Sequence, residues 1–229
     1  MEDRVLALCE LSNDLLFHKI SPNRLGYYVD GALDAGRRAA RNFSGRSIQQ
    51  IYQENGISIR YAGSGKQSYG VILRGQSVMS DAECSVEVYQ ESIDALASHS
   101  SWEGGALSAQ AALEIHLAHE FYHIWEYRNH CSIAEELEPV IRFRILGIQR
   151  KAHIRRCEEV AAHAFAKELL GLPVLPNFYD YLYLMGISKM TQTAFRELTE
   201  RMAALLSGES TDKNEKICDF AGGGAVPSP

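Results

Sequence analysis

The sequence predicts an α+β fold: a helical N-terminus, a small and mostly antiparallel sheet, then further helices. Three observations predict it. Apolar residues recur at helical spacing over residues 2 to 54 and again beyond about Leu107. Between them, from 57 to 90, the period drops to two. Helices and strands are thus segregated along the chain, not alternated. With 229 residues, 46% of them hydrophobic, there is material for one substantial core. One domain is expected over 1–207, with a helical part at 1–55, a core at 56–175 and C-terminal helices at 176–207. Residues 208–229 are polar, then Gly- and Pro-rich, and read as a disordered tail.

Taken in order, "RVLALCELSNDLLFH" places Val5, Leu8, Leu11, Leu15 and Leu16 on one stripe. After Ser21–Pro22, "YYVDGALDAGRRAARNF" and "RSIQQIYQENG" continue the helical period. Gly56 punctuates the change to strands. "ISIRYAG" (57–63), "SYGVILRG" (68–75) and "ECSVEVYQ" (83–90) alternate or are β-branched, joined by turn-like "GSGKQ" and "GQSVMSD". "SIDALASH" reads as a helical turn or short helix and "SSWEGG" as a loop. A helix follows from about Leu107 to Arg128, then a helical group from Ile133 to Leu170, in more than one piece around Pro139 and Gly147. Gly171 and Pro173 stop it. "PNFYDYLYLMG" is a loop or short helix, and "TQTAFRELTERMAALLS" a last helix.

A net charge of −6 and a pI near 5.8 give no support for a general nucleic-acid-binding surface, and no direct nucleic-acid contact is expected. Asp3, Arg4, Glu10 and Asp14 interrupt the apolar residues of the N-terminus, which reads as an amphipathic helix and not a signal peptide. No apolar run approaches the roughly 18 residues of a membrane span. Cys9, Cys84, Cys131, Cys157 and Cys218 are odd in number and form no C-x-x-C pair, so reduced thiols in a cytoplasm are expected.

The chemistry concentrates in "EIHLAHEFYHIWEYR", Glu114 to Arg128, which contains His119-Glu120-Phe121-Tyr122-His123, an H-E-x-x-H. On a helix, residues four apart share a face, so both imidazoles can point at one ion. Zn²⁺ accepts neutral imidazole nitrogens, and Glu120 stands where it can act as general base on metal-activated water. Leu113, Leu117, Phe121 and Ile124 at helical spacing imply a buried helix, in which histidines and a carboxylate need partners. The alternative is a core helix whose histidines bind backbone carbonyls.

A catalytic zinc takes three protein ligands. In "RRCEEVAAHAFAKELLG", Glu159 and His163 are four apart and share a helical face. Glu159 is the expected third ligand, with His163 hydrogen-bonding the site from behind. Glu158 points roughly a hundred degrees away, toward solvent or Arg155, and is the ligand if the register differs.

These two blocks resemble the ImmA/IrrE family of small zinc-dependent metallopeptidases. Its pattern is H-E-x-x-H, a variable helical stretch, Glu with Asn or Asp four residues on, Phe-Ala, and Leu-Leu followed closely by Pro. Here these positions are His119, Glu120 and His123, then Glu159, His163, Phe165-Ala166, and Leu169-Leu170 before Pro173. The likeness covers about residues 50 to 175 and implies a zincin-like, gluzincin-type core. It also implies a protein or peptide substrate, such as a helix-turn-helix repressor; with no spanning apolar run, no membrane partner is expected. Two positions depart from the pattern. Phe121-Tyr122 stand where the family has Leu-Gly, implying a new neighbour for Tyr122 or a phenol directed to the cleft, and His163 replaces Asn or Asp. Neither removes a ligand.

His116 reads as a surface or supporting histidine, and His99, His130 and His153 as loop or surface residues. Oxyanion donors are sought among Tyr122, His153, Tyr179, Tyr181 and Tyr183. "GSGKQSYG" lacks phosphate-loop spacing and reads as a hairpin turn, and "RKAHIRR" as a solvated basic helix face. The strand "CSVEVYQ" is a candidate to pair with an extended substrate. Besides peptide hydrolysis, a non-catalytic metal-binding or partner-binding module and a hydrolase of non-peptide substrates fit the same residues.

Overall fold

Leu6, Leu8 and Leu11 on the first helix, with Val29, Leu33 and Ala32 on the second, are fully buried and form one wall of the core; the first helix ends at Leu11, so Leu15, expected on the same stripe, is 85% exposed. The computed structural model describes residues 1–63, 67–68, 71–80, 83–102, 105–145 and 148–208. Cys218, the expected tail beyond Gly208 and most of the expected "GSGKQSYG" turn lie outside these residues.

The fold is α+β. Helices α1 (Asp3–Leu11), α2 (Leu25–Arg41) and α3 (Ile48–Glu54) come first. Strands β1 (Ser58–Ala62), β2 (Gln67–Ser68), β3 (Val71–Ile72), β4 (Gly75–Met79) and β5 (Cys84–Tyr89) follow. Then come α4 (Gln90–His99), the short strands β6 (Ser101–Trp102) and β7 (Gly105–Ala106), α5 (Ala109–Arg128) and α6 (Ile133–Glu136). A hairpin of β8 (Val140–Ile145) and β9 (Ile148–Ala152) precedes α7 (Arg156–Leu170), α8 (Asn177–Gly186) and α9 (Gln192–Ser207). The described cysteines are free.

Four of the five described strand pairings are antiparallel; β1 with β5 is parallel. The main sheet runs β1-β5-β4. This corrects the reading of "CSVEVYQ" as a substrate-pairing strand. Those residues form β5, which is paired on both sides, and its run of buried Cys84, Ser85, Val86, Val88 and Tyr89 is that of a central strand. The edge over α5 is β4. Its first residue, Gly75, is pressed against α5: a Cβ there would sit 2.2 Å from His116 Nε2 and 2.5 Å from the Glu87 carbonyl oxygen. Only glycine permits that approach.

A second correction concerns 133–170. The stretch expected to be helical contains the β8–β9 hairpin, so "RKAHIRR" lies on β9, a connecting loop and the start of α7, not on one helix face. In Val-Ile-Arg-Phe-Arg-Ile apolar and basic residues alternate from Ile141 on and three residues are β-branched, and that local preference prevails, with Ile-Gln-Arg-Lys-Ala pairing against it. "SSWEGG", expected as a loop, carries the paired ends β6 and β7.

Two helices carry the site. α5 begins at Ser108, whose hydroxyl accepts from the Ala111 N–H at 3.1 Å. It is buried on several faces through Leu117, Ala118, Phe121, Tyr122 and Ile124. α7 packs against α5 on one side and α2 on the other. At the α2 crossing, Gly36 lies so close that a Cβ would fall 2.1 Å from the Ala161 carbonyl oxygen and 2.8 Å from the Phe165 nitrogen. Gly36→Ala must therefore push α2 and α7 apart. It should cost about 1–3 kcal/mol, read as a lower urea midpoint; an unchanged midpoint would show the crossing to be slack.

Candidate metal centre

One turn apart on α5, His119 and His123 present their Nε2 atoms 3.2 Å from each other. Glu159 on α7 meets them, with Oε2 3.2 Å from His119 Nε2 and Oε1 3.8 Å from His123 Nε2. Among the described residues these three form a His/Cys/Asp/Glu group whose ligand atoms all lie within 4.8 Å of one another. Tetrahedral ligands about 2.05 Å from a zinc ion are about 3.3 Å apart. The spacing and the donor set, two imidazoles and one carboxylate, therefore fit a zinc ion.

The electrostatics point the same way. Burial alone would lower the His119 pKa, but the hydrogen bond and charge of Glu159 overcome it and raise it to about 9. Burial would raise Glu159, yet the same hydrogen bond and the His119 charge hold it well below the usual carboxylate range. Burial, then the His119 charge, keep His123 below its ordinary value. In the metal-free protein one proton thus sits between His119 and Glu159, where a cation would otherwise sit.

Glu120, 8% exposed, is beside this group, and its Oε1 lies 3.9 Å from His116 Nε2. His116 is half-buried, and its Nε2 is buried with no hydrogen-bond partner among the described residues; burial pushes its pKa down to about 4, so it is neutral beside Glu120. Glu158 is turned away: Arg155 Nη1 donates to it at 3.0 Å, and the Ser132 hydroxyl donates to the same oxygen. His163 makes no hydrogen bond to the site. Its ring lies 4.8 Å from that of His119 and its Nε2 is 4.0 Å from Oε2 of Glu10, while its Nδ1 is buried without a partner.

Glu10, on α1, is a residue that sequence reasoning missed. It is half-buried behind His163 and accepts from Arg156 Nη1 at 3.0 Å. A lone acid next to the buried Cys9 and Leu11 was the available signal.

The centre opens on a cleft of about 480 Å³. Gly75, Gln76, Ser77 and Met79 of β4 form one side; His119, Glu120, His123 and Tyr127 of α5 lie along it, with Ser132, Glu158 and Glu159 also lining it. None of the five expected oxyanion donors lines this cleft. Tyr122 is directed into the core, donating to Glu126 Oε1 at 3.2 Å. His153 donates through Nδ1 to the Ala134 carbonyl oxygen at 2.7 Å. The α8 tyrosines are elsewhere: Tyr179 packs on Phe178, Tyr181 on Phe195, and Tyr183 beneath Arg74. Tyr127, two turns beyond His119, is the tyrosine at the cleft.

Comparison with protein families, with curated proteins and with solved structures finds no match for this chain.

Zinc binding must expel the shared proton. The raised His119 value means the metal-free pair is fully formed below about pH 6.5 and is lost as pH rises through about 9. Zinc affinity should therefore climb by about tenfold per pH unit below that value, measured by competition with a chelator of known proton affinity. At fixed pH, Glu159→Gln should weaken zinc by more than about a hundredfold, whereas Glu158→Gln should leave it unchanged. The reverse order would move the third ligand to Glu158.

Proposed function

We propose that the chain is a zinc-dependent metallopeptidase that hydrolyses a peptide bond in a protein or peptide substrate. The observation that carries this reading is the convergence of His119 Nε2, His123 Nε2 and the Glu159 carboxylate, with Glu120 beside them in an open cleft. The residue pattern shared with the ImmA/IrrE metallopeptidases supports it, and by that resemblance a helix-turn-helix repressor is the proposed kind of substrate.

His119, His123 and Glu159 would hold the ion. Once bound, zinc would supply Lewis acidity toward both a carbonyl oxygen and water. Glu120 removes a proton from the attacking water as its oxygen bonds to the carbonyl carbon. It then delivers that proton to the departing amine nitrogen as the C–N bond breaks. Because His116 is neutral near pH 7, it does not tie up the Glu120 charge in an ion pair. Strand β4 supports a polypeptide substrate. It is paired only with β5 among the described residues, and its other edge is available to an extended segment by strand addition along the cleft.

No described helix is long and apolar enough to cross a membrane. Four free cysteines favour a reducing compartment, and we place the protein in the cytoplasm.

Glu120→Gln is the test. It keeps shape and hydrogen bonding but cannot take up the proton, so it should lower peptide cleavage by about 10²–10⁴-fold with zinc content and thermal unfolding unchanged. Cleavage at the wild-type rate would refute the assignment. A zinc-loaded wild-type protein that cleaves no polypeptide, with a variant indistinguishable in regulatory function, would establish the non-catalytic module instead.

A further inference from the structure

The β8–β9 ribbon serves nothing described so far. Val140, at its base, is buried, and exposure rises along the ribbon away from it: Phe143 is 43% exposed, Ile145 59% and Ile148 63%. Phe143 pairs with Arg150 and Ile145 with Ile148. Opposed residues share a face, as do residues two apart on a strand, so the three apolar side chains lie on one face with Arg150. Arg144 and Gln149 pair on the other face. Arg142 falls at the register shift between Ile141 and Phe143, its guanidinium carbon 6.0 Å from the Phe143 ring centre.

The charge is one-sided. Residues 140–145 and 148–152 contain Arg142, Arg144, Arg150 and Lys151 and no acid, in a chain of net charge −6. None of the four is in an ion pair among the described residues. The flanking acids are engaged elsewhere, Glu138 with Arg24 at 2.9 Å and Glu158 with Arg155 at 3.0 Å.

We infer that this ribbon is an interfacial anchor for a membrane surface rich in anionic phospholipid. Ile145 and Ile148 form the last described pair of the ribbon, and the cations stand one or more residues behind them. At about 3.3 Å per residue, that places the charges several ångströms above the apolar tip. An interface has the same order with depth, acyl chains below and phosphates above, and apolar faces sink about 5–10 Å into it. The other partners fit less well. Nucleic-acid phosphates would match the cations but leave three exposed apolar side chains in water. A second copy, docked isologously, would bring like charges together. The expectation of no membrane partner rests on the lack of an apolar run long enough to span a bilayer; a surface anchor needs no such run, and on the ribbon Phe143, Ile145 and Ile148 gather on one face.

The test is flotation of the full chain with vesicles of phosphatidylcholine, with and without an equal part of phosphatidylglycerol. Binding should require phosphatidylglycerol and weaken as salt is raised. Ile145→Ser with Ile148→Ser, and separately Arg144→Glu with Arg150→Glu, should each lower partitioning by at least about tenfold. Both pairs are exposed, so thermal unfolding should be unaltered. No partitioning, or equal partitioning of the variants, overturns the inference. So does binding to duplex DNA without binding to vesicles, or a dimer that Ile145→Ser with Ile148→Ser dissolves.

Discussion

Two half-buried imidazoles and a half-buried carboxylate, their ligand atoms held within 4.8 Å of one another, are stabilised by sharing a positive charge. That constraint organises the interior of this protein. α5 and α7 press His119, His123 and Glu159 together in a largely apolar setting, and the metal-free state meets the demand with a proton held between His119 and Glu159. The same arrangement that makes this proton hard to remove provides lone pairs at the spacing a divalent cation requires. Fold and chemistry are therefore coupled: anything that separates the two helices parts half-buried groups that share a charge.

The rest of the architecture holds that pair of helices in place. α2 closes on the back of α7 at a point where no side chain fits, and α1 adds Glu10 and, through it, Arg156 behind His163. A third helix therefore contributes to the electrostatic surroundings of the centre, although its sequence lies far from the motif. On the open side, Gly75 lets β4 rest on His116, which fixes a strand edge, unpaired among the described residues, alongside the cleft. A substrate backbone would meet the site in an orientation set by that strand.

How much of this was legible in the sequence depended on the range of the interaction. The α+β order, the amphipathic first helix and the extent of α5 follow from local periodicity. The common face of Glu159 and His163, and the turning of Glu158 toward Arg155, follow from helical geometry alone. What was hidden was tertiary. Nothing local says that β5 is central and β4 the edge; the residues of β4, Gly-Gln-Ser-Val-Met, read as a turn until they are seen paired with β5. Nothing local says that Tyr122 is directed into the core while Tyr127 reaches the cleft, or that Glu10 lies behind His163. The β8–β9 hairpin is a different failure: its alternation was present in the chain, but two helical neighbours and a single glycine read as a helix break concealed it.

The most direct measurement is diffraction at the zinc absorption edge from crystals of the full chain grown with zinc. The account predicts one anomalous peak in contact with His119 Nε2, His123 Nε2 and a carboxylate oxygen of Glu159. A peak at other residues, or none in protein equilibrated with the metal, would contradict it.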